Sequence, residues 1–301
     1  METWIAITIG AAFVQNIRSS LQKHLRGKMG TAGATFVRFG FGVPFALLFL
    51  SIALTGTGAQ LPTLNGGFAL WIVLAAIAQI LAQVLLIILF TQRNFAVGSA
   101  YIRVEPILAA AFGIAILAEA PSMPVVIAVL ISVLGVLMIT LAHSHVGILS
   151  LATAISKKEA QLGLGSAAIF GFAAVAYRAA SLSLGGPNYL VQGGVTLCVA
   201  IVLQTLLVGG WIYFRDRQDF QNIFATWRTG LAVGFVGALA SFGWFTAMTL
   251  EQAAAVKAVA QIEMLFAFAT TWFVFKEHMN FREVLGCLLI VTGVVVLMVA
   301  G

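Results

Sequence analysis

The pattern of hydrophobic and polar positions in this chain consists of apolar runs of about 20 residues separated by short polar segments. A helix needs roughly 20 apolar residues to cross the hydrocarbon core of a bilayer. The alternation of polar and apolar positions that is typical of membrane barrels is absent, so the runs predict α-helices. We predict ten membrane spans, at residues 4–21, 33–54, 68–90, 96–117, 123–141, 162–184, 190–214, 230–250, 253–275 and 281–300.

The two halves of the chain form an internal repeat. Glu105 recurs as Glu263 at an offset of 158 positions. The same offset finds identical residues, without a gap, for Ala96, Ala100, Ala109, Ala111, Glu119, Val126, Leu130, Val133, Gly135 and Val136. Each half therefore contains five spans, and because five is odd the second copy enters the membrane from the opposite side. We predict inverted repeats at residues 1–142 and 162–301, joined by a connecting loop at 143–161.

Composition supports a polytopic membrane protein. Of the 301 residues, 61% are hydrophobic and only 9% are charged, and the mean hydropathy is +1.05. A soluble domain carries about 25% charged residues. The formal charge of +6 does not indicate nucleic-acid binding, because the basic residues are spread over short loops.

Residue patterns that would indicate an enzyme are missing from the sequence. We find no Ser–His or paired-aspartate arrangement and no phosphate-binding loop, so we expect neither an enzyme nor a cofactor. His143 and His145 lie close together but have no third ligand nearby in the sequence. We therefore expect no metal site.

Several motifs resemble those of a known family. They are the Glu105–Pro106 pair in the fourth span, glutamates that end the fourth and ninth spans, Gly-Val sequences in the fifth and tenth, and Arg38 in FVRFGFGVP. The order of these motifs along two sets of five spans resembles that of proteins in the drug/metabolite transporter superfamily, in particular its EamA-type ten-helix permeases. The resemblance implies an all-α polytopic membrane protein with helices around a central cavity, walled mainly by spans one, three, four, six, eight and nine. It also implies amino acids, other small metabolites or drugs as substrates, moved by proton coupling or exchange.

Glu105 and Glu263 lie about halfway along their spans, at equivalent positions of the two repeats. A charge at the centre of a membrane is costly, and such residues commonly mark substrate or proton pathways. An apolar environment favours the protonated carboxyl, so either glutamate could exchange a proton or bind a substrate ammonium. The alternative is a fixed ion pair with Arg103, Lys257 or Arg178. Arg103 is a poor partner for Glu105 within one continuous helix, because residues two apart face different directions.

Basic residues outnumber acidic ones within the predicted spans. Arg103 lies near the middle of its span, and Arg178 and Lys257 lie nearer the opposite end of the cavity from Arg18 and Arg38. Arg18 and Arg38 lie closer to a loop, where long side chains can extend to the interface. A surplus of positive charge favours a substrate with a carboxylate. The other candidates for substrate binding are aromatic and amide side chains: Tyr101, Tyr177, Trp244, Gln79, Gln83 and Asn16.

From these features we predict a secondary transporter in a bacterial-type inner membrane. It would move a small polar or zwitterionic metabolite, such as an amino acid or an organic acid, by alternating access around a midplane site, with efflux as the favoured direction. Pro106 is the candidate hinge, because a proline removes a backbone hydrogen bond and kinks a helix. Two alternatives stay open: a membrane scaffold or assembly subunit without transport, and a lipid-translocating relative. A homodimer is compatible with each of them.

The distribution of basic residues in the loops and the usual topology of the family predict opposite orientations in the membrane. The loops after the odd-numbered spans carry nearly all the basic residues outside the spans: Lys23, Arg26, Lys28, Arg93, Lys157, Lys158, Arg215, Arg217, Arg228, Lys276 and Arg282. Basic loops face the cytoplasm, so this bias places both termini outside. Members of the family usually have both termini in the cytoplasm.

We expect a Gly301→Cys variant to react with a membrane-impermeant maleimide added to intact cells, because the charge bias places the C-terminus outside. The measurement is the extent of labelling before and after the membrane is permeabilised. Labelling that requires permeabilisation would show that the orientation is the one usual for the family.

Overall fold

The computed structural model of the protein describes residues 2–25, 29–92, 95–142, 155–186, 188–215, 217–266, 269 and 280–300. Within these ranges the chain is α-helical and contains no β-strand. The helices are α1 (Thr3–Leu25), α2 (Thr31–Gly40), α3 (Val43–Thr57), α4 (Gly66–Phe90), α5 (Phe95–Ile102), α6 (Glu105–Leu117), α7 (Met123–Leu141), α8 (Lys158–Ser183), α9 (Tyr189–Arg215), α10 (Arg217–Ala225), α11 (Trp227–Leu250), α12 (Ala253–Ala260) and α13 (Phe281–Ala300). A short helical segment at 263–266 follows α12.

Eight helical stretches in the described part of the chain are long and apolar enough to cross a membrane, judged by length and composition. They are Ala32–Thr57, Gly66–Phe90, Val97–Leu117, Met123–Leu141, Lys158–Ser183, Tyr189–Arg215, Trp227–Leu250 and Phe281–Val299. These stretches correspond to the second to eighth and the tenth predicted spans, so the all-helical, multi-span fold is confirmed. The first predicted span is the helix α1, which contains polar residues such as Asn16 and Arg18. The ninth, 253–275, includes residues 267, 268 and 270–275, which lie outside the described ranges. The count of ten therefore stays a prediction.

The fourth predicted span is interrupted just before Glu105. α5 ends at Ile102 and α6 begins at Glu105, while the amides of Arg103 and Val104 donate to carbonyls three residues earlier, at 3.1 and 3.2 Å. Pro106 accounts for the interruption, because it has no amide hydrogen for the carbonyl of Ile102 and its ring would collide with that carbonyl in a regular helix. The sequence indicated a kink here, and the structure has a break instead.

The ninth span is interrupted at the equivalent position. α12 and the helical segment 263–266 are separated by Gln261 and Ile262. At the repeat offset of 158 these two residues are equivalent to Arg103 and Val104, which separate α5 from α6. Again both amides donate to carbonyls three residues earlier, at 3.2 and 3.0 Å. Met264 stands where the first repeat has its proline. The break therefore occurs in both repeats, and in the second it forms without a proline.

The second predicted span also contains an interruption. α2 and α3 are separated by Phe41 and Gly42, so the continuous helix predicted at 33–54 is divided. The backbone at this point approaches α11 closely, because a Cβ atom added at Gly234 would lie 2.5 Å from the carbonyl oxygen of Phe41. A side chain does not fit at that distance, so the contact requires glycine at position 234.

The chain forms two compact units. Unit 1 comprises Met1–Ile5, Ile77–Val175 and Glu251–Gly301, and unit 2 comprises Ala6–Ala76 and Ala176–Leu250. Each unit contains helices from both halves of the sequence: α5, α6, α7, α12 and α13 in unit 1, and α1, α2, α3, α9, α10 and α11 in unit 2. Helices α4 and α8 contribute residues to both units, as does α1, whose first residues, 3–5, belong to unit 1. The compact units therefore do not follow the sequence repeats.

In unit 1, the fifth and tenth spans, α7 and α13, pack against each other through glycines. A Cβ atom at Gly135 would lie 2.7 Å from the carbonyl oxygen of Gly286, and a Cβ atom at Gly286 would lie 2.6 Å from that of Gly135. Val136, Ile139 and Ile290 fill the adjoining part of the contact. Membrane helices associate through small residues because close backbone approach increases van der Waals contact.

We expect Gly135→Ala and Gly286→Ala to lower the free energy of unfolding by about 1–3 kcal/mol each, because the added methyl group overpacks the contact between α7 and α13. Gly210→Ala is the matched control, since nothing lies within 4 Å of a Cβ atom at that position of α9. Melting temperatures of the purified variants in detergent measure the difference. Similar melting temperatures for all three variants would contradict the close contact.

Candidate functional site

Unit 1 contains an ion pair within the apolar spans. Nζ of Lys257 on α12 lies 2.7 Å from Oε1 of Glu105 at the start of α6, and both side chains are largely buried, with 23% and 19% of their surfaces exposed. The partners come from different repeats. Of the three bases predicted as possible ion-pair partners of Glu105, Lys257 is the one that forms a salt bridge with it.

Arg103 and Glu263 belong to the same cluster. The charges of Glu263 and Glu105 both act on the guanidinium of Arg103, that of Glu263 more strongly. The Nε atom of Arg103 is fully buried. The expectation that Arg103 would be too badly placed to interact with Glu105 assumed a continuous helix, and that helix is interrupted at Arg103 itself. We call Arg103, Glu105, Lys257 and Glu263 the four-charge cluster.

The interruptions explain why carboxylates occupy the centres of these spans. Glu105 is the first residue of α6, and Glu263 is the first residue of the segment 263–266. The start of a helix carries a partial positive charge, which favours a carboxylate in the first turn. Each glutamate also interacts with a base from the opposite repeat. The four-charge cluster as a whole is formally neutral, with two acids and two bases.

Three other predicted site residues lie in unit 1. Tyr101 on α5 packs against Val97 and Ala160. Gln79 and Gln83 lie one turn apart on α4, and both are half-buried. The backbone around Glu105 is tightly packed, because a Cβ atom at Gly171 of α8 would lie 3.3 Å from the carbonyl oxygen of Glu105. A direct role for these three residues in binding substrate stays a prediction.

Arg178 belongs to unit 2, whereas the four-charge cluster belongs to unit 1. It is buried, and its Nη1 donates to the carbonyl oxygen of Met248 at 2.6 Å and to that of Thr249 at 3.5 Å. Both carbonyls belong to the last turn of α11, whose final carbonyls have no partner within the helix. A cation at this end also complements the helix dipole. The contact accounts for the burial of Arg178 without any substrate.

Tyr177 and Trp244 also belong to unit 2, and both are held by neighbouring side chains. The hydroxyl oxygen of Tyr177 accepts from Nε2 of Gln204 at 3.1 Å, and its ring packs on Phe245 with centroids 4.4 Å apart. Nε1 of Trp244 donates to Oε1 of Gln15 at 2.9 Å. Gln204 is absent from the residues predicted above, although a glutamine inside an apolar span is a recognisable signal.

Asn16 is the last of the predicted site residues and lies on α1 in unit 2. Its side chain is half-buried, and its backbone carbonyl oxygen accepts a hydrogen bond from the hydroxyl of Ser20 at 3.2 Å. The structure thus brings together Arg103, Glu105, Lys257 and Glu263 out of the predicted set. Pro106, also in unit 1, adjoins them at the helix break.

Comparison with known proteins agrees with this architecture. The family model of the EamA-like transporter family matches twice, at residues 2–141 and 157–299. No curated protein matches the chain. A solved structure entitled only "Crystal structure of protein" superposes with a TM-score of 0.75 over 99% of this chain and 97% of its own length, at 13% sequence identity, and so shows a likeness of fold. The two family matches cover almost the whole sequence and confirm the resemblance, so the chain belongs to the EamA-like transporter family of the drug/metabolite transporter superfamily.

Proposed function

We propose that this protein is a secondary transporter that moves a small zwitterionic or otherwise polar metabolite across the inner membrane by alternating access, with efflux as the favoured direction. The family is one of membrane transporters. The observation that carries the proposal is the ion pair between Glu105 and Lys257 at 2.7 Å. It joins the two repeats inside the apolar spans, where an unneeded charge is expensive.

The charges of the cluster suit a substrate that carries both signs. An incoming ammonium would compete with the two bases for Glu105 or Glu263, and an incoming carboxylate would compete with the two glutamates for Lys257 or Arg103. A zwitterion can exchange both kinds of partner at once, and the cluster stays neutral with the substrate bound. A bare cation or anion would leave one protein charge unpaired in a poorly hydrated place. The cluster therefore favours a zwitterion such as an amino acid.

The same contacts provide a way to couple transport to protons or to exchange. A proton on Glu105 would release Lys257 just as a substrate ammonium does. The four-charge cluster can then be occupied by substrate or by a proton, but each carboxylate serves only one of them at a time. Competition of this kind is the physical basis of antiport.

The helix breaks supply the flexibility that alternating access needs. At both breaks the amides bind carbonyls three residues earlier instead of the regular four. The segments on either side are therefore not held by a continuous ladder of hydrogen bonds, and their relative angle can change at low cost. Charges placed at the two breaks can bias that angle. In this proposal, substrate binding and the moving backbone share the same positions of the sequence.

We expect Glu105→Gln to lower the rate of substrate transport at least about tenfold while the protein still folds, because the amide binds neither a proton nor an ammonium in the same way. The substrate is first found by comparing the accumulation of labelled amino acids and organic acids in cells with and without the protein. Glu159→Gln is the matched control, since it removes the same charge at the start of α8. A parallel loss of folded protein and transport would return Glu105 to a structural role.

Exchanging the charges of the ion pair separates its structural contribution from substrate binding. We expect Glu105→Lys alone to destabilise the protein, because it places two cations together at a helix start. Adding Lys257→Glu should restore the melting temperature but not transport, since the substrate ammonium no longer meets a carboxylate at position 105. Recovery of transport along with stability would show that the pair only holds the helices together.

A further inference from the structure

Two consecutive spans of unit 2 meet at one membrane surface, with α10 between them. The candidate spans Tyr189–Arg215 and Trp227–Leu250 correspond to α9 and α11, and α10 lies in the short connection that joins them. Helices joined by a short connection run antiparallel, so the end of α9 and the start of α11 lie at the same surface. All three helices belong to unit 2.

Helix α10 is anchored on unit 2 by its apolar side chains. Phe220, Ile223 and Phe224 follow one another at spacings of three and four residues, so they share one face of α10. The centre of the Phe220 ring lies 6.4 Å from that of Phe36 on α2, and the centre of the Phe224 ring lies 6.5 Å from that of Phe41. Ile223 is fully buried. The connection is therefore a packed part of unit 2.

Large aromatic side chains are exposed around α10. They are Trp211, Tyr213 and Phe214 near the end of α9, Phe224 on α10, and Trp227 at the start of α11. Trp211 is 60% exposed and Phe214 82% exposed. Tryptophan and tyrosine are enriched at the interface between membrane and water, where their rings lie level with the lipid headgroups. These rings indicate that this end of unit 2 lies among the headgroups.

Two of the exposed tryptophans each have an arginine over the ring. The guanidinium carbon of Arg215 lies 5.4 Å from the centre of the Trp211 ring, one turn earlier on α9. The guanidinium carbon of Arg228 lies 5.5 Å from the centre of the Trp227 ring. Both arginines are exposed. An aromatic ring orients the planar guanidinium group that lies over it, while the N–H groups at the edge of that group can donate to a further partner. We call these two contacts the Arg–Trp pairs.

The distribution of charge at this surface favours an anion. Arg228 is the second residue of α11, so the helix dipole adds to its positive charge and does not offset it. The acidic residues of the connection, Asp216 and Asp219, lie between the two spans in the sequence, whereas Arg215 and Arg228 mark the span ends themselves. The loops at the opposite ends of these spans, 184–188 and 251–252, contain no lysine or arginine. Basic span ends of this kind are attracted to the negative surface of a leaflet that contains anionic lipids.

We propose that the two Arg–Trp pairs bind the headgroup phosphates of anionic phospholipids. The parallel N–H donors of a guanidinium group fit two oxygens of one phosphate. The tryptophan beside each arginine offers an apolar ring to the lipid below the headgroup. A zwitterionic lipid has the same phosphate, but its own ammonium group offsets the negative charge. This inference goes beyond the proposed function and does not rest on it, because the four-charge cluster belongs to unit 1 and both Arg–Trp pairs belong to unit 2.

The test is the melting temperature of the purified protein in neutral detergent, titrated with phosphatidylglycerol or with phosphatidylcholine of the same acyl chains. A ligand that binds only the folded protein raises the melting temperature in a saturable manner. We expect phosphatidylglycerol to do so at lower concentration than phosphatidylcholine. Arg215→Gln and Arg228→Gln should each weaken the apparent affinity for phosphatidylglycerol about fivefold, because each removes one basic group at the headgroup level. The double variant should respond alike to the two lipids.

Arg282→Gln is the matched control, since Arg282 is likewise the exposed second residue of a span helix, α13. It should leave the titration unchanged. An equal loss of affinity in this variant would show only a general attraction between a basic protein and an anionic micelle, and would overturn the site. Arg215→Lys and Arg228→Lys keep the charge but lose the planar group that lies over the ring, and should bind with intermediate affinity.

Two further measurements separate lipid binding from other roles of the arginines. Without added lipid, Arg215→Gln and Arg228→Gln should melt at the wild-type temperature, because both side chains are exposed; a marked loss there would show that they support the fold and would overturn the proposal. Glycerol phosphate has the same phosphate without acyl chains and should not stabilise the protein at the concentrations at which phosphatidylglycerol does. Arginine-dependent stabilisation by glycerol phosphate at those concentrations would identify a soluble ligand in place of a lipid. Equal stabilisation of the wild type by the two lipids would also overturn the proposal.

Discussion

A charge within a lipid bilayer needs a partner, and the protein meets this requirement with three different arrangements. Inserting one charged side chain at the centre of a span costs at least about 2.5–3.5 kcal/mol. In unit 1 the bases Lys257 and Arg103 meet glutamates of the opposite repeat. In unit 2 Arg178 binds the carbonyl end of α11. In the same unit, Nη2 of Arg38 lies 3.4 Å from the hydroxyl oxygen of Ser241, and its guanidinium carbon lies 5.1 Å from the centre of the Phe39 ring.

The interrupted helices make the first of these arrangements feasible. A regular helix directs all its amides along its own ladder, so its centre offers nothing to a carboxylate. A break at mid-span creates a new helix start, with a partial positive charge, and Glu105 occupies that start. The second repeat has the same break before Glu263 without a proline. The shared break, rather than the proline, is therefore the feature that the two repeats have in common.

Glycines decide which helices come close enough to bring distant residues together. Gly135 and Gly286 bring α7 and α13 into backbone contact, and Gly234 does the same for α11 and the break between α2 and α3. Gly237, one turn further along α11, accommodates the stems of two arginines. In lipid, apolar side chains gain little from choosing one apolar neighbour over another, so close backbone approach at small residues carries much of the specificity.

The sequence by itself determined the helical fold, the limits of most spans and the family, because length and hydrophobicity are local properties of a membrane helix. The predicted spans 123–141 and 281–300 coincide with α7 and α13. It also marked Glu105 and Glu263 through the repeat. Only the tertiary structure decided that Glu105 pairs with Lys257, that Arg178 caps α11, and that Arg18 and Arg38 meet over Gly237. These outcomes depend on which faces of distant helices meet, and runs of uniformly apolar residues carry little information about which face points inward.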